Sequence, residues 1–166
     1  MITHTQQPDR IVLGIDPGYG RVGYGIVSQK GSILHCIEYG CLTTPSNTPL
    51  PGRLKSIHEQ LDAIIRRTQP SLVAVEQLFF YNNAKTALDV GQARGVIILT
   101  AQLHRLPLVE VTPLQAKQAV TGHGGADKAQ VAKMVALLLR LPAPPKPDDA
   151  ADALAIAICA GQRRYS

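Results

Sequence analysis

Two short apolar runs in this chain each close on a single carboxylate. IVLGID ends at Asp16, and SLVAVEQ carries Glu76 just before its end. A brief apolar run without polar alternation reads as a strand buried on both faces. Such strands need helices above and below them, so the pattern points to an α/β domain with a central sheet. An acid at the inner end of a buried strand cannot keep its charge without a partner. Carboxylate oxygens suit a hard metal ion, which makes a bound cation the simplest partner.

The rest of the chain fits that plan. The Gly-rich turn after Asp16 leads into a strand over 22–28, and a third strand follows over 32–44. The three make an antiparallel meander, with 44–52 as a loop. Leu54, Ile57, Leu61, Ile64 and Ile65 recur at helical spacing, which predicts an amphipathic helix over 53–67 with Pro70 beyond its end. A strand over 71–77 comes next. Residues 79–105 read as a loop and then a long helix, with Ala84, Ala87, Gly91 and Gly95 at three-to-four spacing. A fifth strand is expected over 106–112. A helix follows over 113–122, starting at Pro113 and stopping at Gly122. The HGGA turn precedes a helix over 127–141, and PAPPKP breaks the chain before a last helix over 148–164. The order βββαβαβααα predicts a five-stranded mixed sheet with helices on both faces. With no internal repeat and no linker, 11–166 reads as one domain behind a disordered lead over 1–10.

Seventeen Lys and Arg outnumber twelve Asp and Glu, and the net charge of +5 favours an anionic partner, nucleic acid first. The three cysteines, Cys36, Cys41 and Cys159, include no CxxC pair, so reduced thiols are expected rather than disulfides or a zinc site. No apolar stretch reaches the roughly 18 residues that span a membrane, and the lead MITHTQQPDR is polar. The expected location is the cytoplasm.

Asp149 and Asp152 lie three apart in the first turn of the last helix and share a face. If strands one and four are parallel neighbours, Asp16 and Glu76 are adjacent. A last helix packed with its first turn against that edge brings four carboxylates together. Such a group repels itself unless protonated or bound to cations. An all-carboxylate set favours Mg²⁺, with Mn²⁺ as a substitute. Two such ions roughly 3.5–4 Å apart are a common device for phosphodiester cleavage. Each acid also has a plainer reading. Asp16 could be a turn residue, Glu76 a solvated strand end, and Asp148 and Asp149 helix caps. Asp152, inside the apolar AADALAIAI, is the hardest to explain that way.

Four segments in order, GIDPGYGRVGYGIV, VAVEQLFFYNNAKTALDVGQARGV, TPLQAKQAVTGHGGADKAQVAKMV and DDAADALAIAI, resemble the RuvC family of Holliday-junction resolvases. The resemblance runs from about Ile11 to Ile158. It implies a ribonuclease-H-like fold, a homodimer, and Mg²⁺-dependent endonuclease action on four-way DNA junctions in recombination and repair. It implies RuvA and RuvB as branch-migration partners. By the same resemblance the catalytic, metal-holding acids are Asp16, Glu76, Asp149 and Asp152, and some family members carry His at the position of Asp149. Phe79 matches an aromatic used against junction bases, and Lys117 and Lys128 match basic positions near the scissile phosphate. Asp148 has no catalytic counterpart. The glycines of DPGYGRVGYG then read as a tight hairpin leaving room for DNA backbone, and the 84–95 small-residue stripe as a dimer contact.

Phe79, Phe80 and Tyr81 stand in a row in a chain with no Trp. Aromatics beside a basic groove stack on unpaired bases for about 1–3 kcal/mol each, or else fill core beneath a loop. His123 reads as a solvated loop residue, and Arg163 and Arg164 as a solvated tail. Two rival functions remain in the sequence: a junction-binding clamp without nuclease activity, and an actin-like-fold phosphate-binding protein. The second needs another Gly-rich loop and another domain, for which 166 residues leave no room.

Overall fold

The computed structural model describes residues 9–78 and 84–163. Along the chain run β1 (Arg10–Asp16), β2 (Arg21–Lys30), β3 (Ile33–Thr43), α1 (Leu50–Thr68), β4 (Leu72–Glu76), α2 (Ala84–Leu103), β5 (Leu108–Val111), α3 (Pro113–Thr121), α4 (Lys128–Leu138) and α5 (Asp148–Gln162). Element types and order match the sequence expectation.

Some boundaries differ, for local reasons. α1 begins at Leu50, three residues ahead of the predicted start, with Pro49 as its N-cap. Pro51 falls in the first turn, where a missing N–H breaks no helical bond, so prolines that read as loop punctuation open a helix instead. Thr112 caps α3 and Asp127 caps α4. Each cap accepts from the backbone N–H three residues on, while Gln115 and Gln130 reach back to complete reciprocal capping boxes. Gly122 closes α3 with φ 84°. Pro147, not Asp148, is the N-cap of α5, and Asp148 is its first helical residue, 3.3 Å from Lys146 Nζ.

The sheet order is β3-β2-β1-β4-β5. The β1–β2 and β2–β3 pairs are antiparallel, and the β1–β4 and β4–β5 pairs are parallel. The parallel register aligns Ile15 with Val75, so the next residue of each strand, Asp16 and Glu76, emerges level at the same sheet edge.

Alternate residues of the central strands face opposite layers. Leu13, Ile15, Val73 and Val75 pack with Ile57, Leu61, Ile64 and Ile65 of α1 and Ala93, Ile97 and Ala101 of α2. Val12, Leu72 and Ala74 face the other way and pack with residues of α3, α4 and α5. Helices therefore cover both faces. Each fully buried Leu or Ile contributes about 1.5–3 kcal/mol to this arrangement.

α5 is buried on every side from Ala153 to Ala160. Its Ala-rich surface lets it lie directly on the backbones of β1 and β2. A Cβ on Gly14 would stand 2.6 Å from the backbone nitrogen of Ala157, and one on Gly23 would stand 2.5 Å from the carbonyl carbon of Asp149. At two of them this corrects the expectation that the glycines of the first hairpin make room for DNA, whereas Gly20 faces open space. Gly23, and Gly25 against Leu154, make room for α5. The β1–β2 turn is pinned from outside: Thr44 Oγ1 donates to the Tyr19 carbonyl at 2.6 Å, and the Thr44 N–H donates to Gly20.

Cys36, Cys41 and Cys159 are free thiols, with Cys159 buried and the other two half-buried. No helix among the described residues is long and apolar enough to cross a membrane.

Candidate active site

A cleft of ≈ 280 Å³ opens where the C-terminal ends of β1 and β4 meet the first turns of α5 and α4. Its polar lining is Asp16, Glu76, Asp152, Lys117 and Lys128, set among Pro113, Ala116, Val131 and Ala155. Asp16 and Glu76 arrive by strand register. Asp152 arrives because the close approach of α5 to Gly14 and Gly23 sets the first turn of α5 over the end of β1. Lys117 comes from α3 and Lys128 from the first position of α4, and both lysines line the cleft.

The site concentrates negative charge in poorly solvated surroundings. Burial first, then the charges of Glu76, Asp152 and Asp149, push the Asp16 carboxyl from 3.8 up to about 8, against the opposing pull of Lys128. Burial and the Asp152 charge also raise Glu76, while a hydrogen bond with Asp16 and the two lysines draw it back. Asp152 is raised by burial and opposed chiefly by Lys128, whose Nζ lies 3.6 Å from Oδ2. In the absence of a cation the pair at the strand ends favours a state in which a protonated Asp16 shares a hydrogen bond with Glu76.

Asp149 does not line the cleft. Its Oδ2 stands 3.6 Å from Arg21 and 3.8 Å from the Cys41 thiol, which donates to it. Arg21 and Cys41 were not singled out in the sequence. Their only signal was Arg21 opening the strand after the Gly-rich turn, whereas Cys41 joins through the β2–β3 register opposite Gly23. A third residue without a sequence signal is Arg94 of α2. Its Nε donates to the Glu76 carbonyl at 3.5 Å, and its guanidinium bonds the Glu110 carboxylate on β5.

Among the described residues no three His, Cys, Asp or Glu side chains form a closed metal cage. Lys128 lies 3.6 Å from the Asp152 carboxylate and Arg21 3.6 Å from that of Asp149. The donor set still fits a hard divalent cation: the acids in the cleft offer only carboxylate oxygens, and burial together with their mutual repulsion raises their protonation, a cost that a bound cation would relieve. Lys117 and Lys128 complement this with a wall suited to phosphate oxygens.

His123 is exposed in the loop after α3, as expected. Arg163 closes α5, and its carbonyl accepts a bond from Arg10 at 3.0 Å. Phe79, Phe80, Tyr81 and Arg164 lie outside the described residues.

The family model described as "Crossover junction endodeoxyribonuclease RuvC" matches residues 12–160. The protein of that name from Desulfitobacterium hafniense is 54% identical over 149 residues, 90% of each chain. Its counterpart from Petrotoga mobilis is 50% identical over 156 residues, 94% of this chain and 96% of the other. Among solved structures, Thermus thermophilus RuvC in complex with a Holliday junction substrate superimposes with a TM-score of 0.86 at 38% identity, covering 90% of this chain and 92% of that one.

Proposed function

This chain belongs to the RuvC family of crossover junction endodeoxyribonucleases, and on that premise we propose that the cleft between β1, β4 and α5 is where it hydrolyses DNA phosphodiesters at four-way junctions. The protein is a nuclease that resolves Holliday junctions, in the service of recombination and repair. The observation that carries the assignment of the site is the level emergence of Asp16 and Glu76 from parallel strands, facing Asp152 and two lysines in one buried cleft.

The catalytic acids are Asp16, Glu76, Asp152 and Asp149, the last standing beside the cleft with Arg21 at 3.6 Å. These carboxylates would hold two Mg²⁺ ions, for which Mn²⁺ would substitute. When bound, these ions supply an activated water and neutralise charge on the leaving oxygen. The residues of the chain do the rest. Asp16, at the end of β1 beside Glu76 and Asp152, fixes the point around which the other carboxylates arrange. Lys117 and Lys128 hold the scissile phosphate from the opposite wall and stabilise the charge that develops on it. Phe79 stacks on bases at the junction centre.

A four-way junction presents two equivalent phosphates, and paired incision needs two sites at a fixed distance, which a twofold homodimer provides. Leu88, Leu99 and Leu103 on α2 support that reading: they fall on one helix face and are 68%, 57% and 63% exposed. RuvA and RuvB are the branch-migration proteins that hand over the junction, and the cytoplasm, where the DNA is, is the place of action.

The deciding experiment incubates the protein with a labelled four-way junction and with linear duplex, with and without Mg²⁺. Symmetric paired cuts in the junction alone are expected. Retention of uncut junction in Mg²⁺ would instead identify a clamp.

A further inference from the structure

We propose that Arg94 is a positioning residue for Glu76, fixing that carboxylate in the cleft through the backbone; the inference rests on the reading of Glu76 as a metal ligand. Arg94 stands on α2, outside the cleft, and its side chain is only 19% exposed. It makes two contacts there. The guanidinium bonds the carboxylate of Glu110 on β5, and Nε donates to the carbonyl of Glu76 itself.

The register makes those contacts consequential. Glu110 lies opposite Val75, the residue before Glu76, and Val111 lies opposite Glu76. Arg94 therefore clamps α2 across the last two rungs of the β4–β5 ladder, at the point where the sheet ends and β4 gives way to the following loop. Among the described residues the last bond from this end of β4 to β5 is that of the Gln77 N–H to Val111, and strand ends fray easily. A planar fork that engages a carboxylate on one strand and a carbonyl on the next removes that freedom, and its charge is already spent on Glu110. The Glu76 side chain inherits a fixed origin from this backbone. Displacement of a ligand's outer support typically costs about 10–100-fold in metal affinity or activity.

The same residue ties the cleft to α2. Arg94 follows Ala93, which is buried against the sheet, and precedes Gly95 on the outward face that carries Leu88, Leu99 and Leu103. Whatever packs on that outward face stiffens the helix from which Glu76 is held.

The test titrates Mg²⁺ in junction cleavage by the full chain, comparing wild type with Arg94→Gln, Arg94→Lys and Glu110→Gln, and measures junction binding in EDTA and thermal unfolding in parallel. Arg94→Gln should raise the Mg²⁺ concentration for half-maximal cleavage about 10–100-fold, with junction affinity unchanged. Arg94→Lys, which keeps the charge and loses the fork, should fall between. Glu110→Gln should shift the Mg²⁺ requirement in the same direction and decides the matter if Arg94→Gln does not fold. Lower melting temperatures with an unchanged Mg²⁺ requirement in Arg94→Lys and Glu110→Gln would overturn the proposal and leave Arg94 an ordinary helix–sheet clamp. Glu76→Gln is the companion variant. Full cleavage by it would overturn the ligand reading of Glu76 and this inference together, whereas its inactivity beside unaffected Arg94 and Glu110 variants would overturn this inference alone.

Discussion

Lys128 Nζ lies 3.6 Å from Asp152 Oδ2, joining the first turn of α4 to the second turn of α5 across the cleft. A cation at the first position of a helix opposes the macrodipole, so Lys128 costs α4 some stability and is held there by the acids it faces. Lys128→Ala should lower the slope of log affinity against log salt by roughly one unit. It should also slow cleavage at saturating protein by about 10²–10³-fold, as expected for loss of a donor aimed at developing charge. Junction binding over a salt series, with single-turnover rates, checks both.

Asp16→Asn should abolish cleavage while junction binding survives, because affinity rests on basic residues. The same change removes the need to take up a proton at this site on folding, so near pH 7 the metal-free variant should melt above wild type by about 2–4 °C for each kcal/mol relieved. Asp148→Asn should cut normally, since Asp148 is exposed and engaged with Lys146. Cleavage by Asp16→Asn at the wild-type rate would remove the site assignment.

Asp16 titrates near 8 in the folded protein against 3.8 when unfolded. A carboxyl raised in this way holds its proton when folded after the unfolded chain has lost it. Its contribution to stability is fully present below pH 3.8, and is lost progressively as pH rises toward 8. Metal-free protein should therefore show a negative slope of stability with pH across that window, flattened in Asp16→Asn. A divalent cation takes the place of the proton, so added Mg²⁺ should raise the melting temperature more at pH 8 than at pH 5. Calorimetry in EDTA and in Mg²⁺ at both pH values measures the difference.

Leu99 sits at the middle of the exposed face of α2. Burying such a side chain contributes about 1.5–3 kcal/mol, and a charge in its place adds a desolvation cost. Leu99→Glu should shift light-scattering mass from about twice the 17.8 kDa chain toward one chain, and should uncouple the paired incisions into single nicks. A wild-type chain that stays monomeric both free and on junction DNA would refute the dimer.

Gly14→Ala should cost about 1–3 kcal/mol through overpacking, because the new methyl meets the backbone of α5 rather than a flexible side-chain tip. The displacement moves Asp152 with the helix. Cleavage should fall more than the melting temperature alone would predict, which urea unfolding and a Mg²⁺ titration of activity together test.

Much of this protein was legible in its sequence because the signals were local. The apolar runs around Leu13 and Val73 announced buried strands, the 3.6-residue spacing of Ile57, Leu61 and Ile64 announced α1, and Pro113 and Gly122 marked the two ends of α3. Where the reading slipped, one residue type carried two meanings. Pro49 and Pro51 punctuate a loop or open a helix equally well, and only the packing of α1 against the sheet selects the second. The glycines of the first hairpin read as space for DNA, and at Gly23 and Gly25 that space belongs to α5.

The sequence by itself determined the layered α/β architecture, the order of its elements and the chemical character of the site, since burial periodicity and the placing of lone acids at strand ends are properties of neighbouring residues. Tertiary structure alone decided which of those acids meet. Asp16 and Glu76 stand level because of a parallel register between strands far apart in the chain, with Val12 opposite Leu72 and Ile15 opposite Val75. Asp149 faces Arg21 and Cys41 because β2 and β3 pass beneath the first turn of α5, and Arg94 reaches Glu76 and Glu110 because α2 crosses the end of β4 and β5. Contacts of that kind depend on relative placement of whole elements. That placement is set by packing free energy summed over the two core layers, which no local stretch of sequence encodes.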